Sequence, residues 1–230
     1  AWKTFENAPI AVAANRDERF DRAADPPQVT GSDPAILAPG DEKAGGTWIG
    51  VNEDRLFAGV TNRWLDANRD ATRSRGLLVR DVLQTARVDE AVETVTRSIA
   101  AEEYDGFNLV IADGESALLL EYDGSLGRRT LDPGIHVVVN TGADGRYTIP
   151  EFRHEIGNTQ GENADAVRDA LHPLSNEDPD SWLDRAKDVL GDHDYGVCIH
   201  GEAYGTVSTS VLAIDRTGTV TYRYADGPPC

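Results

Sequence analysis

The 230 residues include 40 acidic and 22 basic side chains, which gives a formal net charge of −18, and 40% of the residues are apolar. A chain of this length and composition can bury a large core, so wholesale disorder is excluded. No run approaches the roughly 18 to 20 apolar residues of a membrane span, and no secretory signal peptide is visible. The acidic excess disfavours nucleic acids and anionic membranes as partners, because both select a basic surface. Together with the scarcity of Lys it indicates a protein from a salt-adapted organism.

The two cysteines, Cys198 and Cys230, form no CxxC motif and belong to no Cys/His set at the spacing of a zinc site. We therefore expect no disulfide framework, no metal and no cofactor, and a location in the reducing cytoplasm. The sequence contains no Met, so Ala1 is expected to be a processed end or the edge of a fragment. A short N-terminal strand segment and a C-terminal tail are expected to be missing.

The chain begins with strand patterns. Residues 2–5 alternate like half a strand, and the apolar residues 9–14 predict a buried strand that stops at the polar segment 15–18. Residues 21–34 are rich in Asp, Pro and Gly and predict a surface loop. A hairpin follows, with strands at 48–51 and 56–60.

The rest of the chain alternates pairs of helices with groups of strands. The predicted elements are helices at 77–86 and 88–99, strands at 107–112, 117–122 and 136–140, helices at about 162–172 and 181–190, and a final hairpin of strands 208–214 and 219–224. This order predicts a single α+β domain over residues 1–230, in which helices pack outside antiparallel sheets.

Few residues offer familiar chemistry. The sequence has no nucleophile elbow, phosphate-binding loop, dinucleotide fingerprint or zinc-protease motif. Asp192-His193-Asp194 follows a glycine in an Asp-rich segment, so a solvated turn is favoured over a metal clip. Cys198 and His200 share one face of a predicted strand and would suit a nucleophile and its base. A buried core cysteine beside an edge histidine is the favoured interpretation.

Three polar clusters follow apolar strands, where side chains can face a shared cleft. They are residues 15–18, 61–63 and 140–142. Asn supplies a neutral donor for a developing oxyanion, and Asp can orient a nucleophile or bind an amine. The alternative is that these residues only make turns.

These clusters and several further motifs resemble the NRDE family, also called the transport and Golgi organization protein 2 family. The matching stretches are Ala13-Ala14-Asn15-Arg16-Asp17-Glu18, Gly45-Gly46-Thr47-Trp48-Ile49-Gly50-Val51, Leu56-Phe57-Ala58-Gly59-Val60-Thr61-Asn62, Ser74-Arg75-Gly76-Leu77-Leu78-Val79, Tyr104-Asp105-Gly106-Phe107-Asn108-Leu109 and Tyr204-Gly205-Thr206. They run nearly the whole length of the chain in the order and approximate spacing of the family.

The resemblance implies the four-layer αββα sandwich of N-terminal nucleophile hydrolases and a reaction on a small amide or acyl substrate. Family members begin Met-Cys, about half a dozen residues ahead of the Trp-containing strand, and that Cys would be the nucleophile, with its own α-amine as base. By analogy Asp17 would hold the amine, and Asn62 and Asn140 would lie near the oxyanion.

The same resemblance implies that the substrate-binding residues are Asn15, Arg16, Trp48 and Thr206. Where the family tends to carry an Arg after Tyr-Gly-Thr, this chain has Val207, which removes one expected contact to an anionic group. Arg16 is a possible substitute.

Two other functions remain open. One is a carrier that binds an acyl, lipid or haem-like ligand in the same cleft without catalysis, with His136, His154 and His200 as candidate haem ligands. The other is an acidic globular protein whose strand-end Asn and Asp residues only make turns. The oligomeric state is not predicted.

Overall fold

The computed structural model describes residues 1–67 and 69–230. In chain order the strands are β1 (Ile10–Arg19), β2 (Ala24–Thr30), β3 (Ile36–Asp41), β4 (Ile49–Asn52), β5 (Phe57–Asn62), β6 (Phe107–Ala112), β7 (Ala117–Tyr122), β8 (Leu126–Thr130), β9 (Val138–Val139), β10 (Gly142–Ala143), β11 (Arg146–Tyr147), β12 (Tyr204–Ile214) and β13 (Val220–Asp226). The helices are α1 (Arg75–Val82), α2 (Val88–Ala101), α3 (His154–Ala170) and α4 (Pro179–Gly191), and short 3-10 turns cover Glu151–Arg153 and His193–Tyr195.

The strands form two main sheets. Sheet I has the order β1-β12-β13, and sheet II contains β2 to β8 in chain order. A small third sheet has the order β11-β10-β9. Neighbouring strands pair antiparallel throughout the described residues, as in the register of Ile10 with Ile214 and of Phe57 with Ala112. Short hairpins place strands that are consecutive in sequence side by side in the sheet.

Three apolar clusters hold the layers together. Leu78 and Val95 of the first helix pair pack on sheet II, and Ile10 and Phe57 belong to the cluster between the two sheets. Leu183 of α4 belongs to the cluster outside sheet I. The layer order is therefore helix, sheet, sheet, helix. The predicted α+β fold, an αββα sandwich, is confirmed.

Several predicted elements are confirmed with small shifts of their ends, namely the β4–β5, β6–β7 and β12–β13 hairpins and the helices α1, α2 and α4, whereas α3 begins eight residues before the predicted helix at about 162–172. The predicted end of the first strand is wrong. The polar residues Asn15 to Arg19 continue β1, because they pair with residues Tyr204 to Thr209 of β12. Their side chains have partners on the neighbouring strand, and a pattern of hydrophobicity along the chain does not detect such partners.

The predicted loop over residues 21–34 is also wrong, since it contains β2. Pro26 and Pro27 fall where the pairing of β2 with β3 is irregular, between Asp25 and Gln28. β2 is the outer strand of sheet II, and an edge tolerates Pro because one side of the strand needs no ladder hydrogen bonds. The strand predicted over 136–140 is reduced to Val138–Val139, and β3, β8, β10 and β11 were not predicted.

A close backbone contact positions the loop that carries Trp48. Thr47 N–H donates to the Gly76 carbonyl at 3.0 Å, at the start of α1. A Cβ on Gly46 would overlap the backbone of Gly76. Both motif glycines therefore serve the approach of the loop to the helix.

Candidate active site

Asp17 and Thr206 form one pair of the predicted site. They face each other across β1 and β12, next to a register shift at Arg16/Asp17. The Thr206 hydroxyl donates to Asp17 Oδ1 at 2.6 Å and accepts from the Ile199 N–H at 2.9 Å. Burial raises the pKa of Asp17, and the hydrogen bond from Thr206 offsets part of this rise. The pair holds a half-buried carboxylate in a fixed position.

Asn15 lies on the same face of β1 as Asp17, toward the outer helices. Its amide donates to the carbonyls of Leu190 and Val197, at 3.0 and 2.8 Å, and its oxygen accepts from Thr209 at 2.7 Å. Both amide protons are thus used within the protein. These hydrogen bonds connect β1 to the end of α4. The substrate-binding role of Asn15 stays a prediction.

Arg16 points to the opposite face, between the two sheets, as strand alternation requires. Its guanidinium lies 4.3 Å from the centre of the Trp48 ring, a cation–π contact between a residue of sheet I and the loop leading into sheet II. Burial lowers the pKa of Arg16, while Glu18 and Asp41 oppose the change. Arginine remains protonated nonetheless, so a positive charge lies over the Trp48 ring.

Ser208 lies directly across from Arg16 in the register of sheet I. It is 2% exposed, and its hydroxyl has no hydrogen-bond partner within the described part of the chain. Ser210, two residues further on the same face, accepts from the Tyr222 hydroxyl at 2.9 Å. A buried hydroxyl without a partner costs free energy, and a bound molecule would relieve that cost.

The Asn140 side chain lies against the backbone of Asn62. Asn140 Nδ2 donates to the Asn62 carbonyl at 2.9 Å, and Asn140 Oδ1 accepts from Gln160 at 2.9 Å. The Trp64 N–H also donates to the Asn140 carbonyl, at 3.0 Å. One amide proton of Asn140 remains for a ligand.

The Asn62–Asn140 pair and the Arg16–Trp48 contact share one end of the sandwich. The Val60 N–H donates to the Trp48 carbonyl at 2.8 Å, and Asn62 follows Val60 by two residues at the end of β5. Arg16 lies against Trp48, the Asn140 side chain lies against the Asn62 backbone, and the two pairs lie at the same end of sheet II. We call this end the rim between the sheets. The Asp17–Thr206 pair lies beside them, on the other face of β1.

The sequence missed several residues of this rim. Arg22 binds Asp41 at 2.6 Å and Glu18 at 3.3 Å, which fixes a charged border beside Arg16. Ser208 had no readable signal, because the register shift at Arg16/Asp17 places it on the face of β12 opposite to Thr206, although it follows Thr206 by only two residues. Gln160 carried none, because its position on α3 becomes meaningful only when that helix meets Asn140.

A separate cavity of about 570 Å³ opens beyond Asn62. Its described lining includes Arg63, Trp64, Thr148 and Pro150 but none of the seven predicted site residues. The rim between the sheets has the chemically organised side chains, so we place the candidate site there.

The histidines do not assemble around this rim. Both ring nitrogens of His136 are engaged, with Asp144 at 2.8 Å and the Asp132 carbonyl at 2.7 Å. His154 lies against Asn158 on α3, and His200 lies near Cys198 and Cys230. For haem ligation, His136 has no ring nitrogen left to offer.

The expectations for the cysteines need correction. Cys198 is buried, as expected, but it is bonded to Cys230 in a disulfide. In this state it is neither a nucleophile nor a free core thiol. The pairing was invisible in the sequence because the two residues are separated by 32 positions. No helix within residues 1–67 and 69–230 is long and apolar enough to cross a membrane.

Comparisons with known proteins agree with this architecture. The family model described as Transport and Golgi organisation 2 matches residues 1–224. The Transport and Golgi organization protein 2 homolog of Bos taurus is 29% identical, and that of Homo sapiens 28%, each over 93% of this chain and 84% of the relative.

Among solved structures, two variants of conjugated bile acid hydrolase from Clostridium perfringens superpose with a TM-score of 0.51 at 12% sequence identity. They cover 92% and 91% of this chain, and 87% and 86% of their own chains. At this identity the likeness concerns the fold, which is that of N-terminal nucleophile hydrolases. Because the family model matches residues 1–224, the chain belongs to the Transport and Golgi organisation 2 family.

Proposed function

We propose that this protein hydrolyses a small amide or related acyl substrate at the rim between its sheets, with a cysteine nucleophile on a strand that precedes Ala1. The observation that carries the proposal is the pairing of the first residues with β1. Ala1 and Ala11 exchange backbone hydrogen bonds of 2.8 and 3.0 Å, and Trp2 bridges Ile10. The first residues therefore run antiparallel to β1.

This register can be extended. Ala1 lies opposite Ala11, and in this antiparallel register each earlier residue would lie opposite the next residue of β1. The fifth residue before Ala1 would therefore lie opposite Arg16. Trp2 packs in the cluster between the sheets. A residue six positions earlier faces the same side, because side chains alternate along a strand. β1 is an outer strand of sheet I among the described strands, so its edge offers the hydrogen bonds that such an extension needs.

The residues around that position suit a cysteine nucleophile. Its thiol adds to the amide carbonyl, and its own α-amine, with an ordinary pKa of about 7.7–8.0, takes the proton. Asp17 orients this amine, and the free amide proton of Asn140, with Asn62 beside it, stabilises the oxyanion. Arg16 and Trp48 bind an anionic, flat or acyl part of the substrate, and Thr206 holds Asp17. The amine product leaves, and water hydrolyses the thioester.

The alternative is a carrier that binds an anionic acyl ligand at the same rim without turnover. The unpartnered hydroxyl of Ser208 beside Arg16 supports it, because that hydroxyl and the guanidinium would bind a carboxylate with no nucleophile required. A carrier keeps its affinity when the cysteine is removed.

The deciding experiment uses the protein expressed from the Met codon of its gene and characterised by N-terminal sequencing and intact mass. We expect a free N-terminal Cys and turnover of a panel of N-acyl amides that is lost in the Cys→Ala variant. A mature chain without such a Cys excludes the hydrolase. Saturable acyl binding that survives Cys→Ala, without turnover in the parent, establishes the carrier.

A matched pair of arginine variants tests the binding role. Arg16→Met is expected to weaken binding of the anionic substrate, whereas Arg19→Met, on the same strand but 63% exposed in its side chain and paired with Asp21, is not. Equal effects of the two would refute a specific role for Arg16. For the environment of the protein we further infer a salt-adapted organism, supported by the acidic composition, while the cytoplasmic location stays a prediction from the sequence.

A further inference from the structure

We propose that His193, Cys198, His200 and Cys230 form a zinc site when the disulfide is reduced. This His–Cys cluster brings together one possible ligand atom from each residue, and the four atoms lie within 4.8 Å of one another. Two thiolates and two imidazoles are a set that favours tetrahedral Zn²⁺. The proposal is independent of any reaction at the rim.

The distances already approach those of a tetrahedral centre. Bond lengths of 2.0–2.1 Å to nitrogen and 2.3 Å to sulfur require separations of about 3.3 Å between nitrogens and about 3.6 Å between nitrogen and sulfur. The His193 and His200 Nε2 atoms are 3.3 Å apart. His200 Nε2 lies 3.6 Å from Cys198 Sγ and 3.1 Å from Cys230 Sγ. Once their bond is broken the two sulfurs must separate, and the remaining atoms, all within 4.8 Å of one another, need only small shifts.

The surroundings of His200 are better explained by a shared cation than by hydrogen bonds. Three neighbouring atoms converge on its Nε2. That nitrogen has either one proton or one lone pair, so it can satisfy one partner directly. A metal ion at the centre would bind the lone pairs of both imidazoles and both thiolates at once.

The fold holds the ligands on three converging segments. His193 begins the short 3-10 turn after α4, Cys198 and His200 precede β12, and Cys230 follows β13. The backbone at Pro229 and Cys230 approaches Gly191 so closely that a Cβ on this glycine would lie 2.9 Å from the Pro229 carbonyl oxygen. The arrangement thus depends on tertiary packing, which the ligand spacing along the chain does not reveal.

Metal binding requires a reductant, and a dithiol supplies the electrons. The dithiol transfers two electrons and two protons to the Cys198–Cys230 bond, giving two thiols and one cyclic disulfide. Zn²⁺ then binds both thiolates and displaces the two thiol protons to solvent. Oxidation by a disulfide of the same class reverses the sequence and releases the ion. The cluster would therefore exchange a covalent crosslink for a metal crosslink.

The cluster lies next to the candidate site. Ile199, between two of the ligands, donates its N–H to the Thr206 hydroxyl, which in turn binds Asp17. Either crosslink would hold this segment in place. Zinc would thus preserve the position of Thr206 under reducing conditions.

Cobalt spectroscopy tests the site directly. The purified protein is reduced with dithiothreitol, freed of reductant without oxygen and titrated with Co²⁺. We expect one Co²⁺ per chain, with the visible bands of tetrahedral cobalt and a sulfur-to-cobalt charge-transfer band, and full displacement by Zn²⁺. The disulfide form is expected to show neither spectrum. Zinc should also protect two thiols of the reduced protein from a thiol reagent.

Variants separate this site from incidental binding. Cys198→Ser and Cys230→Ser should each lose about half of the charge-transfer intensity, and the exposed His193→Asn should bind Co²⁺ at least about tenfold more weakly. His172→Asn, an exposed histidine elsewhere, should bind normally. Circular dichroism of each reduced variant confirms its fold, and His193→Asn keeps the test decisive if a cysteine variant does not fold. Reduced protein without saturable tetrahedral cobalt, or a spectrum unchanged by His193→Asn, overturns the proposal.

Discussion

Asp17 shows how a site residue can oppose the stability of its own fold. Burial raises the pKa of its carboxyl, so the charged form is less favourable in the folded state than in the unfolded state. The hydrogen bond from Thr206 compensates only in part. Functional residues often carry such a cost, because selection keeps the chemistry at the expense of stability.

Asp17→Asn is therefore expected to stabilise the protein at neutral pH. The folded-state pKa is raised, so wild type loses stability relative to the variant as pH rises from the unfolded value of 3.8 through the folded pKa. Below both values the advantage of the variant disappears. Urea unfolding at a series of pH values measures the difference.

Asp215→Asn is the matched control with the opposite sign. Hydrogen bonds from Thr217 lower the pKa of Asp215, which lies in the turn between β12 and β13, so its contribution is present above the unfolded pKa and is lost as pH falls. Stability curves of Asp17→Asn and wild type that run parallel at all pH values would contradict the burial argument.

Asn15→Ala is expected to destabilise the protein by about 2 kcal/mol or more, because it leaves two carbonyls and a Thr209 hydroxyl without their partner. Denaturant unfolding measures this, with the exposed Asn7→Ala as control. If Asn15→Ala instead lowers ligand binding at unchanged stability, the substrate-binding role predicted from the sequence is the correct one.

At the scale of elements, the start of α1 and the loop before β4 meet through two glycines. Gly46→Ala is expected to cost about 1–3 kcal/mol, because its Cβ would overlap the rigid backbone of Gly76 rather than a side chain that can move away. Thermal unfolding measures the loss. The total fluorescence of the four tryptophans should shift as well, since Trp48 follows in the same loop.

Gly114→Ala is the control for this change. Gly114 lies in the turn between β6 and β7, where a Cβ would meet no atom within 4 Å. We expect little effect there. A Gly46→Ala protein as stable as Gly114→Ala would show that the loop can move away from α1.

Strand β1 shows where the sequence sufficed and where it did not. Its apolar half was readable, and the family motifs correctly indicated the layer order. Its polar half was misread, because Asn15 and Asp17 find their partners 194 and 189 residues away in β12. Separation in sequence also hid the unpartnered Ser208, which lies opposite Arg16 on another strand, and the pairing of Cys198 with Cys230, which are 32 positions apart. Local patterns contain no information about such partners.

At the scale of the whole molecule, charge repulsion dominates over charge pairing. Most ion pairs are exposed or partly exposed, as in Arg223 with Asp184, and exposed pairs contribute little. The net charge of −18 acts on the compact state as a whole. Salt weakens both the repulsion and the ion pairs. The larger of the two effects therefore decides whether added salt raises or lowers the free energy of unfolding.

Raising KCl from low concentration to about 1 M, where the screening length is about 3 Å, is expected to increase the free energy of unfolding by at least about 1 kcal/mol. For a chain of this size that raises Tm by about 2–4 °C. Differential scanning calorimetry measures the shift. Choline chloride at the same ionic strength should act equally, whereas a decrease in Tm would show that ion pairs outweigh the repulsion.

The bond between Cys198 and Cys230 makes the β12–β13 hairpin a closed ring. The ring contains β12, which lies between the other two strands of sheet I. Closing a loop of this length stabilises the folded state by about 3–4 kcal/mol in the chain-entropy model. A proteolytic cut in the turn between Asp215 and Gly218 would then leave one covalent molecule, which separates into two peptides only after reduction and denaturation. The central strand of the sheet is thus protected against the consequences of a cut in this turn.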